Sequence, residues 1–321
     1  MHVTWNQLRI FEAVARHLSF TRAAEELHVV QPTVSAQIKL LTESVGMPLF
    51  EQIGRKVHLT AAGRELQRTA RELFDTWNRF EITIADLQGM KRGTLRVAVV
   101  STAKYFVPRM LGPFCRRYPE IDVALEIANR DQVVERLAAN LDDLYIMGVP
   151  PEGMDVEKQP FLENPLLVIA PRDHPLARTR AVTLKQLAGE RFILREQGSG
   201  TRLRAEAVFR SYRFRPKVTM QLGNNEAIKW AVASGLGVAV MSQHALIMDG
   251  LQDRLALLDV QGFPDEGSWY VVYPAGKKLS VIAKTFFDYL REEAAVIHNE
   301  LVQQTRAAAA GGNGRRRRKA A

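Results

Sequence analysis

Ser101-Thr102-Ala103-Lys104 and Gln197-Gly198-Ser199-Gly200-Thr201-Arg202 are the two stretches of this chain best equipped to hold a small molecule. The first sets two hydroxyls and an amine just past the apolar run Leu95 to Val100. The second sets hydroxyls, a guanidinium and two glycines just past Phe192-Ile193-Leu194. Where a strand ends and a helix opens, the first-turn N–H groups lack intrahelical partners and attract anions. Glycines there let the backbone wrap an anion. Asn129, just past the apolar run Val123 to Ile127, adds a polar contact. Plain helix capping by Ser101 and Thr201 accounts for either stretch alone, whereas the two together fit an anionic-metabolite site built from Ser101, Thr102, Lys104, Asn129, Gly200, Thr201 and Arg202. Ser101 and Lys104 also have the Ser-x-x-Lys spacing of an acyl-serine enzyme, but no Ser-Asp-Asn or Lys-Thr-Gly element follows. The seven histidines include no pair at metal-ligand spacing, and Gly235-Leu236-Gly237 lacks the rest of a dinucleotide fingerprint. No cofactor is expected beyond a small effector.

A second chemistry lies near the start. Residues 20 to 45 read as two short helices joined by a tight turn, the first from about Thr21 to Leu27, with Ala23, Ala24 and Leu27 on one face. The second opens at Pro32, whose fixed φ and missing N–H suit a first turn. Val34, Ile38, Leu41 and Val45 make its buried face. Gln31, Thr33, Ser35, Ala36 and Lys39 are left outside, mostly small or hydrogen-bonding, as a helix entering a DNA major groove requires. Phe50-Glu51-Gln52-Ile53 and Val57-His58-Leu59 read as strands around the turn Gly54-Arg55-Lys56, a wing that brings Arg55 and Lys56 to phosphates. Thr21, Lys39, Arg55 and Lys56 are thus expected to fix register on the backbone, and Gln31, Pro32, Thr33, Ser35 and Ala36 to meet base edges or flanking phosphates. An ordinary helical pair with a solvated hairpin is the alternative.

Positioning these groups takes three kinds of element. From Thr60, a plausible N-cap, to Gly89 the chain reads as one helix of about thirty residues, roughly 45 Å long. Leu66, Ala70, Leu73, Trp77, Phe80, Ile84 and Leu87 follow at alternating spacings of 4 and 3, a heptad seam for a second copy of the chain. A dimer would hold two reading helices at the spacing of an inverted repeat in double-stranded DNA. After Lys91-Arg92-Gly93, strands alternate with helices in α/β order, long enough for two lobes hinged about a cleft as in periplasmic solute-binding proteins. The expected fold class is therefore α + α/β. It comprises a winged helix-turn-helix (1–60), a linker and dimerisation helix (61–90), and a two-lobed domain (91–300). Lobe I covers about 94–160 and 268–300, lobe II about 165–265. A disordered basic tail (301–321) follows. The strands that cross between lobes are placed near Pro160 to Pro165 and Gly262 to Ser268.

Charge does not identify the reading domain. The net charge is +9, but Arg315 to Lys319 supply five of the cations, and the first sixty residues hold six Lys or Arg against five Asp or Glu. No apolar run is long enough to span a bilayer, and Met1 to Asn6 show no secretion signal. A cytoplasmic protein without membrane contact is expected. The single Cys115 excludes an intrachain disulfide and reads as a packing thiol.

The run from Ala23 to Ser35, with Pro48-Leu49-Phe50 and Leu59-Thr60-Ala61-Ala62-Gly63, resembles the DNA-binding domain of LysR-type transcriptional regulators. The resemblance extends from Trp5 to about Val296. It implies a sequence-specific, ligand-responsive regulator, not an enzyme, that acts as a tetramer on two neighbouring sites. Effector binding would relax a DNA bend and expose the promoter to RNA polymerase. Ser101 to Phe106, Phe114 to Pro119 and Asn140 to Gly148 are similar to the CbbR-type subgroup of Calvin-cycle operon regulators. That likeness implies activation of ribulose bisphosphate carboxylase genes in response to phosphorylated metabolites or NADPH. A regulator of another metabolic operon with a carboxylate effector fits the residues equally well.

Overall fold

The computed structural model describes residues 2–54, 56–87, 92–246 and 254–294, and divides into two compact units, 1–88 and 89–321. In the first, Thr4 caps helix α1 (Trp5–His17) through a reciprocal pair with Gln7: Gln7 N–H donates to Thr4 Oγ1 (3.2 Å) and Thr4 N–H to Gln7 Oε1 (2.9 Å). Helix α2 (Phe20–Glu26) starts one residue before the sequence expectation, because the Ser19 hydroxyl accepts from Arg22 N–H and so sets the cap. Helix α3 (Gln31–Val45) carries Pro32 in its first turn and stops at Gly46, whose φ of 78° favours glycine. Val34, Ile38 and Leu41 are buried against Phe11, Val14, Ala23 and Ala24, with Val45 partly so. Strands β1 (Phe50–Ile53) and β2 (Lys56–Leu59) pair antiparallel, Phe50 opposite Leu59. Lys56 therefore lies in the second strand, opposite Ile53, rather than in the turn; Arg55 is outside the described residues.

The linker helix α4 (Ala61–Leu87) begins where expected: Thr60 Oγ1 accepts from Gly63 N–H (3.0 Å) and donates to Pro48 O (2.6 Å). Gly63 is glycine for close approach, since a Cβ there would collide with the Leu49 carbonyl. The heptad seam splits. Leu66 and Ala70 turn into their own unit, Ala70 completely buried, because α4 packs back on α1. Leu73, Trp77, Phe80 and Ile84 stay exposed, at 45%, 50%, 53% and 37%. Trp5 stacks edge-on to Phe74 (4.7 Å) and lies 5.7 Å from Trp77. The Leu87 side chain is outside the described residues.

The second unit holds two five-stranded sheets. Strands β3 (Gly93–Val100), β4 (Ile121–Ala128), β5 (Leu144–Met147), β6 (Val156–Glu163) and β12 (Ser268–Pro274) form the first, in the order β4-β3-β5-β12-β6. Strands β7 (Leu166–Pro171), β8 (Arg191–Arg195), β9 (Lys217–Leu222), β10 (Val238–Ser242) and β11 (Leu255–Leu258) form the second, in the order β11-β7-β10-β8-β9. Helices α5 (Val107–Arg117), α6 (Arg130–Ala138) and a final helix over 281–294 cover the first sheet; α7 (Gly200–Ser211) and α8 (Asn225–Ala233) cover the second. The chain crosses between sheets at 164–165 and 259–267.

Two strands were not legible. β6 contains Pro160 and is mostly exposed, which suits an edge strand that needs no donor on its open side. β11 is a four-residue edge. The helix expected directly after β3 is broken as well. Ser101–Tyr105 form a 3-10 turn, and Phe106 (φ −126°) separates it from α5, where Pro108 occupies the first turn. The 301–321 tail is outside the described residues.

Candidate functional site

The outer face of α3 is open at Gln31, Pro32, Thr33, Ala36 and Lys39, with Ser35 half-buried. Gln31 Nε2 donates to Ser35 Oγ (2.9 Å), so two groups expected to read bases preorganise each other one helical turn apart. Thr21 is exposed at the start of α2. Lys39 lies 4.0 Å from Glu43 with both side chains mostly in solvent, an ion pair too weak to hold the amine from a phosphate. Lys56 is exposed on the wing.

The helical pair is tied at its back. Glu26 Oε1 accepts from Arg16 Nη2 (2.7 Å) and Glu26 Oε2 lies 2.6 Å from His17 Nε2, joining α1 to α2. The Arg16 hydrogen bond holds the Glu26 carboxyl down at about 2. A carboxyl depressed in the folded state stabilises above its ordinary value of 4.5 and loses that contribution as pH falls toward 2. Glu26→Gln should therefore melt earlier than wild type at pH 7, and lose less further stability between pH 4.5 and pH 2. Thermal melts of both proteins across that range check the sign.

Between the two sheets lies a cleft lined by Val100, Ser101, Thr102, Arg130, Gly148, Val149, Asn164, Arg195, Ser199, Gly200, Thr201, Arg204 and Trp269. Arg195, the last residue of β8 and only 3% exposed, spans it. Its Nη2 donates to Ser101 Oγ (3.0 Å) and its Nη1 to Thr102 Oγ1 (3.3 Å) and Asn225 Oδ1 (2.8 Å), while Nε donates to Glu196 Oε2 (2.7 Å). Glu196 in turn accepts from Asn129 Nδ2 of the opposite lobe (2.5 Å). Burial pushes the Glu196 carboxyl up, but Arg195, its own backbone N–H and Asn129 together bring it below the ordinary range. Arg130 donates from Nε to Val149 O (2.8 Å). Arg204 puts Nε and Nη2 on Asp265 Oδ2 (2.9 and 2.6 Å). Ser199 caps α7 without a side-chain hydrogen bond, which leaves the helix N-terminus facing the cleft.

Four of the seven effector residues expected from sequence thus line this cleft: Ser101, Thr102, Gly200 and Thr201. Three do not. Lys104 is paired with Glu226 (3.1 Å), which also accepts from the Tyr105 hydroxyl (2.5 Å). Burial raises that carboxyl, and the phenol and amine together bring it below the ordinary range. Arg202 is turned away onto Glu206 (2.7 Å), Gln221 (2.7 Å) and the Arg195 carbonyl (3.1 Å). Asn129 is a lobe-to-lobe strut and the cap of α6. The Lys104 amine is on Glu226, whereas the Ser101 hydroxyl accepts from Arg195. Arg130, Arg195, Arg204 and Trp269 were missed. Among the described residues no cluster could hold a metal ion, and no helix is long and apolar enough to cross a membrane.

Two family descriptions match the chain: "Bacterial regulatory helix-turn-helix protein, lysR family" over residues 5–64 and "LysR substrate binding domain" over residues 88–295. The chain belongs to the LysR family. This LysR-type regulator is 49% identical over 289 residues to the HTH-type transcriptional activator CmpR of Synechocystis sp., covering 90% of this chain and 95% of that protein. It is 50% identical over 289 residues to the RuBisCO operon transcriptional regulator of Acidithiobacillus ferrooxidans, covering 90% and 94%. Among solved structures, the regulatory domain of Synechocystis PCC6803 CcmR in complex with 2-PG is 49% identical, with a TM-score of 0.62 over 63% of this chain and 98% of that one. Full-length CbnR complexed with its target DNA shares the fold (TM-score 0.63, 22% identity, 91% and 100% covered). The protein is a LysR-type transcriptional regulator related to the CmpR and RuBisCO-operon regulators.

Proposed function

We propose that this regulator activates carbon-fixation genes, those of ribulose bisphosphate carboxylase among them, when a small anionic metabolite enters the cleft between its lobes. The observation that carries this is the cleft itself: three guanidiniums, four hydroxyls and an open helix N-terminus converge there, and no carboxylate is in the lining. Such a site selects negative charge. The relative whose regulatory domain was solved with 2-PG supports a phosphorylated effector.

Residues 5–64 read an inverted repeat as a pair, with Gln31, Thr33 and Ser35 at base edges and Lys39, Lys56 and Arg55 on phosphates. The exposed half of the linker seam, Leu73, Trp77, Phe80 and Ile84, joins the two copies, and two such dimers form the working tetramer. An effector shifts this assembly only by binding its open and closed lobes with different affinity. The change then alters the DNA bend and admits RNA polymerase. Footprinting the upstream region of a ribulose bisphosphate carboxylase operon, with and without 2-PG, tests the reading. Protection of an inverted repeat whose extent changes with 2-PG is expected. Protection unaffected by 2-PG but altered by a carboxylate would point instead to another metabolic operon; no protected bases would end the proposal.

A further inference from the structure

Charge divides unevenly between the two lobes. Residues 94–160 and 268–300 hold twelve Lys or Arg against fourteen Asp or Glu, whereas residues 165–265 hold fourteen against nine. The surplus is concentrated at 207–225, which carries Arg210, Arg213, Arg215 and Lys217 and no carboxylate. Arg191 joins them, because the parallel β8–β9 pairing sets it directly beside Lys217. All five are exposed, and none of their side chains has a hydrogen-bond or ion-pair partner among the described residues. The flanking carboxylates are already engaged: Glu206 holds Arg202 (2.7 Å) and Glu190 lies 3.4 Å from His174.

This cationic face is remote from the cleft. Helix α7 starts in the cleft lining at Gly200 and runs for twelve residues, so its far end is roughly 18 Å away. One cation at a helix C-terminus complements the helix dipole, which accounts for Arg210. It does not account for Arg215 beyond the helix, nor for Arg191 and Lys217, which open strands β8 and β9. Arg213 is the clearest case. Its φ of 52° is left-handed, a conformation that glycine takes without steric cost and usually supplies past a helix end. The turn itself closes through the backbone: Arg213 N–H donates to Arg210 O (3.0 Å) and Phe214 N–H to Phe209 O (2.8 Å). Phe214 anchors it inward on Phe192 and Phe209. The fold thus uses the turn and the ring but not the guanidiniums. Five like charges crowded without partners repel one another, and a polyanion relieves that repulsion.

We propose that this face of lobe II binds the DNA phosphate backbone and gives the regulatory unit a sequence-independent grip of its own. DNA is the polyanion that a LysR-type regulator meets, and phosphate neutralisation supplies essentially all non-specific affinity. The first sixty residues, with six cations against five carboxylates, provide little of that in bulk. Four of the five cations on the face are arginines, whose planar fork meets two phosphate oxygens at once.

Binding of the full-length protein to a labelled random-sequence duplex, followed by fluorescence anisotropy across a salt series, tests the proposal. In the triple variant Arg210→Gln, Arg215→Gln, Lys217→Gln the affinity at low salt should fall tenfold or more. Its slope of log K against log salt should flatten by roughly 3, since each lost phosphate contact removes about 0.9. Arg213→Gly should flatten the slope by about 0.9 and melt no lower than wild type, which separates lost charge from lost fold. The double variant Arg210→Lys, Arg215→Lys keeps the charge and should keep the wild-type slope. An unchanged slope in the triple variant overturns the proposal, whatever happens to its affinity. If that variant keeps its DNA slope but no longer captures polyglutamate as wild type does, the face belongs to an acidic protein and the DNA assignment falls.

Discussion

In the Arg195→Met protein we expect the effector response to be lost while operator binding persists. Arg195 engages its donors on both sides of the cleft, from Glu196 and Asn225 on its own lobe to Ser101 and Thr102 on the other. Methionine keeps the buried stem and deletes the guanidinium, leaving Glu196 without its cation and Asn225 without its donor. Breaking a buried pair in this way costs roughly 3–5 kcal/mol, which corresponds to at least a hundredfold loss in any equilibrium that requires the lobes closed. The loss should appear as a fall in the melting temperature of the regulatory unit and as an operator gel shift that no longer moves with 2-PG. A response midpoint within threefold of wild type would show that closure does not depend on Arg195. Operator affinity without effector is the internal control, because the reading helix belongs to the separate unit of residues 1–88.

That Arg195, rather than Arg202, holds this position illustrates what the sequence reveals and what it hides. The rule that ligands meet the carboxyl ends of strands led to the loop after β8, which lines the cleft. Arg195 is simply the next residue of the strand read as Phe192 to Leu194, so extending that strand by one position reaches it. On α7 the helical phase decides: Thr201 and Arg204 are three residues apart and share a face, whereas Arg202 lies about 200° round from Arg204. Lys104 was misplaced for a different reason. The 3-10 turn at Ser101–Tyr105 changes the direction of each side chain, and its true partner, Glu226, lies 122 residues along the chain. Trp269 reads from sequence as strand core, which it is, and it lines the cleft from there. The helix-turn-helix, by contrast, was legible almost to the residue, because local spacing, caps and a proline specify it without long-range partners.

Gln31→Ala should lower operator affinity far more than affinity for random DNA, and by an amount that depends on the linker helix. The Gln31 amide is exposed and held by Ser35, the geometry for a base-edge contact of about 1–3 kcal/mol. In a symmetric dimer each operator meets two copies, so one substitution costs about 2–6 kcal/mol, a factor of roughly thirty or more. Lys39→Ala and Lys56→Ala should instead weaken operator and random DNA alike and flatten the salt dependence, since each removes a phosphate contact from both half-sites. Trp77 and Phe80 join the two effects, because they lie on the exposed part of the seam. In a Trp77→Glu, Phe80→Glu background the pair should come apart, and Gln31→Ala should then cost about half as much, as measured by equilibrium binding to a single half-site. If Gln31→Ala costs the same in both backgrounds, the doubling does not come through the linker seam. If it weakens random DNA as much as operator, Gln31 positions the protein rather than reading sequence.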